Sequence, residues 1–396
     1  MSRTLQTRFK ARGTRFLIYP QPKTLRGFAS PVPVYVDMPP RTIRAGPEDD
    51  AVYVVDAVDK LAYKESRTRP PYTGARYRPA APDADGHFDH IKPTDRRFLS
   101  ATVYATVRCV HEIWEGYFGR HLPWYVTGGG RRFEIVPLAE TDTAYSGDGY
   151  LEFGYPSLRR PYCENFDVVA HEVGHSIGWA VIGRPERRTM AYRANDEACA
   201  DLMAIVASLH FESVVERLLR ETLGNLFSVN ALSRLGELGK TRQARKAFNQ
   251  VTMATVRRDP DPAQQKYNLS LPFTGAGFDI LVEIYEQGLL VREAIPAALA
   301  EWSGNARPRE LRAVQREFSR HYARKRARFR SALLDARDHF GRLLARAVDK
   351  TRMAERSHAR LAAHMLAADD ELSGGRYEGL IRSSFERRGI LRAAAG

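Results

Sequence analysis

Phe166-Asp-Val-Val-Ala-His171-Glu172-Val-Gly-His175-Ser-Ile-Gly-Trp179 is the stretch whose reading decides the fold. Val168, Val169, Val173, Ile177 and Val181 give it enough apolar surface to be buried as a helix. Inside it His171 and His175 stand four residues apart, one turn along the same face, where both imidazoles can reach a single ion. Glu172 lies beside them, placed to face a water on that ion rather than the ion itself. A buried helix carrying two histidines and a glutamate needs a partner for them, and Zn2+ supplies one.

Downstream, Asn195-Asp-Glu197-Ala-Cys-Ala-Asp201-Leu-Met203 opens a second helical run, expected over Ala198 to His210. Catalytic zinc takes three protein ligands and keeps a fourth position for water. Glu197, 22 residues past His175, is the expected third ligand. Asp201, one turn further along the same face, is expected to hold a liganding histidine by its other ring nitrogen.

Together these residues resemble the thermolysin family, zinc peptidases whose third ligand is a glutamate. The resemblance implies that His171, His175 and Glu197 bind zinc, that Glu172 is the general base, and that Asp201 supports a ligand from behind. Thr143-Ala144-Tyr-Ser146 and Gly149 to Gly154 resemble the family's edge strand, whose main chain pairs with an extended substrate, so Ala144 is carried over as substrate-binding. Thr241 to Arg245 resembles the segment that places an arginine near the substrate carbonyl, and Thr274 to Leu281 the late helix that closes the site. The likeness covers roughly residues 95 to 300 and is strongest at the two zinc helices. One departure stands out. No histidine lies between His210 and His321, so the family's late histidine is missing. Tyr192 or Tyr267, with Arg245, are the candidates to replace it, and Tyr192 is taken as the catalytic one. Asp167 matches one acidic position of the family's calcium sites, without the rest of the cluster.

The chain has 396 residues, 43% of them hydrophobic, which is enough for a sizeable core and for two or three domains. Its formal charge of +14 is read as an arginine-rich composition spread over solvated faces. Three cysteines, Cys109, Cys163 and Cys199, make no disulfide framework and no zinc spacing. The first residues carry positive charge without an apolar signal-peptide core, and no apolar run reaches the ~18 residues of a membrane span. Cytoplasmic residence is therefore expected.

The expected fold class is α+β. It is a zincin-like peptidase with a β-containing N-terminal lobe, a mainly helical C-terminal lobe and a basic helical tail. Residues 1–95 read as a β-rich extension, with strands at Arg15 to Tyr19, Val32 to Val36 and Val52 to Asp56. Residues 96–190 form an α+β lobe, in which an amphipathic helix from Phe98 ends at Gly119 and the zinc helix ends at Gly183. Residues 191–305 form a helical lobe holding the third ligand, with helices at Phe211 to Phe227, Phe278 to Gln287 and Val291 to Trp302, and a loop-rich stretch from Leu238 to Pro272. Residues 306–396 are the basic helical region. Its block Arg324-Lys-Arg-Ala-Arg-Phe-Arg330 leaves nucleic-acid binding through residues 307–368 as an alternative. The function expected is zinc-dependent peptide-bond hydrolysis of peptide or protein substrates by an endopeptidase, with an aminopeptidase not excluded. Its alternative is a weakly active zinc-binding module. His111 is expected in the core, and His87 and His90 as structural loop residues.

Overall fold

The computed structural model describes residues 4–63, 74–127, 132–226, 234–235, 245–305, 307 and 309–392. Strands β1 (Thr14–Ile18) and β2 (Val32–Val36) pair antiparallel with Phe16 opposite Val34. The alternation along β1 buries Thr14, Phe16 and Ile18, the period-2 pattern of a half-covered strand. Helix α1 (Arg97–Phe118) packs across this pair and stops at Gly119, whose left-handed φ of 70° lets its N–H cap the Glu115 carbonyl.

A second sheet runs in the order β3-β4-β6-β5. Strands β3 (Val52–Val54), β4 (Phe133–Val136) and β6 (Tyr150–Phe153) are parallel, while β5 (Ala144–Gly147) returns antiparallel on β6 and forms one edge. That edge lies against α2 (Phe166–Ile182), the histidine helix. Helix α2 starts because the Asn165 side chain accepts from the Asp167 N–H, and it ends at Gly183. Helix α3 (Met190–Ser208) is capped in the same way by Thr189, which accepts from Tyr192 N–H.

What brings α2 and α3 together is a glycine. A Cβ on Gly174, between the two histidines, would sit 3.0 Å from Ala200 Cα, so the helices approach so closely here that a side chain would force the Ala200 backbone to give way. Ala200 lies between Glu197 and Asp201, so this contact carries the acidic face of α3 to the imidazoles.

The remaining helices are α4 (Glu212–Thr222), α5 (Pro262–Val291), α6 (Ala297–Asn305), α7 (Leu311–Lys350), α8 (His358–Ser373) and α9 (Glu378–Arg387). One apolar core runs from Phe16 on β1 through Trp114, Val169, Met203 and Phe278 to Phe340 and Phe385, so the four sequence segments share it. Among the described residues no single helix is long and apolar enough to cross a membrane.

Helix boundaries depart from expectation in several places, most of all in α3 and α5. Helix α3 begins at Met190 rather than Ala198, which puts Glu197 well inside it. Helix α5 begins at Pro262, with Asp261 as its cap, inside the stretch read as loop, and ends at Val291 where a new helix was expected. Its polar first turns and the internal Pro272 hide the helical period. The basic tail packs on the rest of the chain. Helix α7, kinked at Lys325, buries Phe318, Phe329, Leu333, Phe340, Leu344 and Val348. Each such side chain contributes about 1.5–3 kcal/mol. The fully buried Arg337 donates to the Leu209 carbonyl at the end of α3.

Candidate metal centre

His171, His175 and Glu197 form a buried group able to hold a metal ion, with one ligand atom from each lying within 4.8 Å of the others. The Nε2 atoms face the Glu197 carboxylate, at 3.4 Å for His171 and 3.6 Å for His175. The Nδ1 atoms turn the other way, His171 to Asp201 Oδ1 at 2.9 Å and His175 to Asp196 Oδ2 at 3.1 Å. A carboxylate behind each ring fixes the proton on Nδ1 and leaves the Nε2 lone pair for a metal. Two lone pairs aimed at a carboxylate repel it unless a cation stands between them. Accordingly, although burial disfavours the imidazolium, Asp196 and Glu197 drive the His175 pKa up to about 10 when protons are the available cations. A divalent ion with nitrogen and oxygen ligands fits this donor set.

Glu172 is buried next to the triad but does not join it. The Ser146 hydroxyl on edge strand β5 lies 2.7 Å from Glu172 Oε2 and equally close to the Glu172 carbonyl, tying the strand to the carboxylate. Asp201, besides facing His171, has Thr274 Oγ1 of α5 at 3.5 Å from its second oxygen.

Several participants had no sequence signal. Lys266, in the second turn of α5, places Nζ 2.6 Å from Glu197 Oε1. Burial opposes this ammonium, yet Glu197 keeps its pKa above the usual lysine range. Asp196 accepts from Trp179 Nε1 at 2.9 Å and pairs with Arg356 Nη1 at 3.0 Å, on top of its contact with His175. Burial would raise its pKa, but Arg356 and His175 hold it near 2. Arg356 reaches in from the segment between α7 and α8, and its Nε also donates to Asn195 Oδ1 at 3.1 Å. Lys266 was hidden by the misread loop, and Arg356 by a separation of 161 residues from Asn195.

Other residues lie elsewhere or outside description. The Tyr192 hydroxyl donates to the Gly183 carbonyl at 2.6 Å, and its ring carries the Arg356 guanidinium at 4.7 Å. Gly183 is eight residues past His175, roughly 12 Å along the helix axis, so this hydroxyl is committed away from the ligand atoms. Ala144 lies on edge strand β5 opposite Phe153. Arg245 opens a two-residue strand (Arg245–Lys246) paired with Arg234–Leu235, but its side chain, like Thr241 to Ala244, falls outside the described residues. Lys266 neighbours Tyr267, whose ring lies 4.5 Å from the ammonium. All three cysteines are buried and free, and burial lifts Cys199 to about 11. His111 is in the core, stacked on Trp124, and burial lowers its pKa to about 3. His87 accepts from Arg15 N–H and His90 faces Asp83, in keeping with a structural loop.

Neither a protein-family model nor a curated protein matches the chain.

Proposed function

We propose that the protein is a zinc-dependent hydrolase of peptide bonds, a thermolysin-like α+β zincin acting on peptide or protein substrates as an endopeptidase. One observation carries the reading. Two imidazole Nε2 atoms converge on Glu197 while carboxylates orient both rings from behind, and a fourth acid, Glu172, stands buried beside them without being a ligand.

A zinc ion held by His171, His175 and Glu197 supplies Lewis acidity and an acidified water. The protein's own part is to move protons and hold the substrate. Glu172, oriented by Ser146, takes the proton of the attacking water on a carboxylate oxygen and returns it to the leaving amine nitrogen. Edge strand β5, from Ala144 to Gly147, offers main-chain groups to an extended peptide running past Glu172. The Lys266 ammonium brings a positive charge beside Glu197, able to face an oxyanion forming at the carbonyl. Tyr192 carries no step in this scheme, because its hydroxyl is engaged with Gly183.

The test pairs metal analysis of the purified protein with a mixed-peptide digest. The expected result is one zinc per chain in both wild type and Glu172→Gln, with cleavage reduced about 10²–10⁴-fold in the variant. Equal cleavage by the two proteins would remove Glu172 from the mechanism, and a chain that takes up no zinc would remove the centre.

A further inference from the structure

Three arginines, Arg184, Arg188 and Arg193, crowd one end of the site, and among the described residues none of them forms an ion pair with an acid. Arg184 and Arg188, on the loop joining α2 to α3, hold their guanidinium carbons 4.3 and 6.0 Å from the centre of the Trp179 ring. That ring stacks in turn on the ligand imidazole of His175, 5.6 Å away. Arg193 stands one turn before Glu197 on α3, and its Nε is buried with no hydrogen-bond partner among the described residues. Arg188 is half-buried, and burial, with Arg184 and Arg193 nearby, lowers its pKa although Asp196 pulls the other way.

Asp196 cannot neutralise this group, since His175, Trp179 and Arg356 already take its oxygens. The carboxylates of the site are Glu172, Asp196, Glu197 and Asp201. Arg356, Lys266 and a divalent ion balance them, so Arg184, Arg188 and Arg193 are left over. Arginines on a solvated face spread apart. Here two share one aromatic ring, and a cation–π contact offsets only part of their repulsion.

We propose that this cationic rim binds a carboxylate of the ligand, so that the site selects peptides with an acidic side chain or a free C-terminal carboxylate close to the reacting bond. The inference rests on the hydrolase reading for its choice of a peptide. Its physical content is carboxylate recognition by guanidinium forks, which are built for paired hydrogen bonds to such a group.

The test is calorimetric binding to zinc-loaded Glu172→Gln protein, in which peptides stay intact. Three probes share one neutral sequence, blocked at its N-terminus: a C-terminal amide containing Gln, the same amide with Glu in its place, and the Gln peptide with a free C-terminal carboxylate. A charge-assisted hydrogen bond predicts about 10- to 100-fold tighter binding of at least one anionic probe over the neutral one. Whichever gains identifies the carboxylate. Added Arg188→Gln should erase the gain at unchanged zinc content, and Arg188→Lys should keep part of it. Equal affinity for all three probes, or a gain that survives in the Arg184→Gln/Arg188→Gln pair, overturns the proposal. Because binding is read without cleavage, an inactive wild type would sink the hydrolase reading and leave this result standing.

Discussion

Among the described residues, the charges buried around Glu152 and those buried between α2 and α3 are built on opposite plans. Lys60, on the chain after β3, and Glu152 on β6 of the four-stranded sheet, both with fully buried side chains, pair at 3.0 Å. The Lys60 ammonium also donates to the Leu61 carbonyl and lies 3.8 Å from the centre of the Tyr63 ring, while Glu152 accepts from Tyr63 N–H. Glu134 beside them takes the hydroxyls of Tyr53 and Tyr63. That group is closed, with each charge answered by the chain itself. The α2–α3 group is open, since its two Nε2 atoms and the Glu197 carboxylate point at one another around a place that could hold an added cation. Burial of charge alone therefore does not mark a site. Unbalanced convergence of ligand atoms does.

Breaking the closed group should give the largest effect. Lys60→Met leaves the Glu152 carboxylate buried without its cation and should cost about 3–5 kcal/mol in denaturant unfolding. The fraction that remains folded should still bind one zinc per chain. Loss of zinc in that fraction would mean that the two groups are coupled and the contrast is false.

Asp201→Asn tests the open group. It weakens the support behind His171 without changing size, so zinc affinity measured by chelator competition should fall about 10- to 100-fold. The unfolding midpoint of the metal-free protein should move little. A large stability loss with unchanged zinc affinity would turn Asp201 into a residue of the closed kind.

Glu112 on α1 sharpens the comparison with an intermediate case. One of its oxygens accepts from Asp37 N–H and the other has no partner among the described residues. Burial pushes its pKa up to about 8, against the pull of Arg108, from an ordinary value of 4.5. The folded protein thus holds this proton more tightly than the unfolded chain does. The stability it contributes is complete below pH about 4.5 and is lost as pH rises through about 8. Urea unfolding of Glu112→Gln should match wild type near pH 4 and exceed it by a modest margin at pH 9. Parallel pH profiles for the two proteins would rule this out.

Legibility in the sequence followed the range of the interaction. The end of α2 at Gly183, the α1 stop at Gly119, and strands β1 and β2 were all readable, because caps, turns and alternation act over a few residues. Helix α5 was not, since Gln264, Gln265, Lys266 and Asn268 give its first turns no apolar stripe and Pro272 interrupts the rest. Its early turns are held by the Asp261 cap and by contacts with α3, which no local pattern announces. Losing α5 also meant losing Lys266. The direction of the Tyr192 hydroxyl was hidden for a related reason. It was a candidate only because the resembled family's late histidine is missing, and its hydroxyl donates to the Gly183 carbonyl, a contact that no local pattern announces.

By itself the sequence determined the histidine pair. Four residues is one helical turn, so His171 and His175 share a face wherever that helix is placed, with Glu172 beside them. Only the tertiary structure decided what meets them. The missing side chain at Gly174 lets α3 approach until Glu197 faces both rings, and the core draws Lys266 and Arg356 from distant segments onto the same few atoms. The reason is physical. Helical periodicity is set by bonds between neighbours along the chain, whereas this convergence is set by which surfaces of separate helices fill one another's volume.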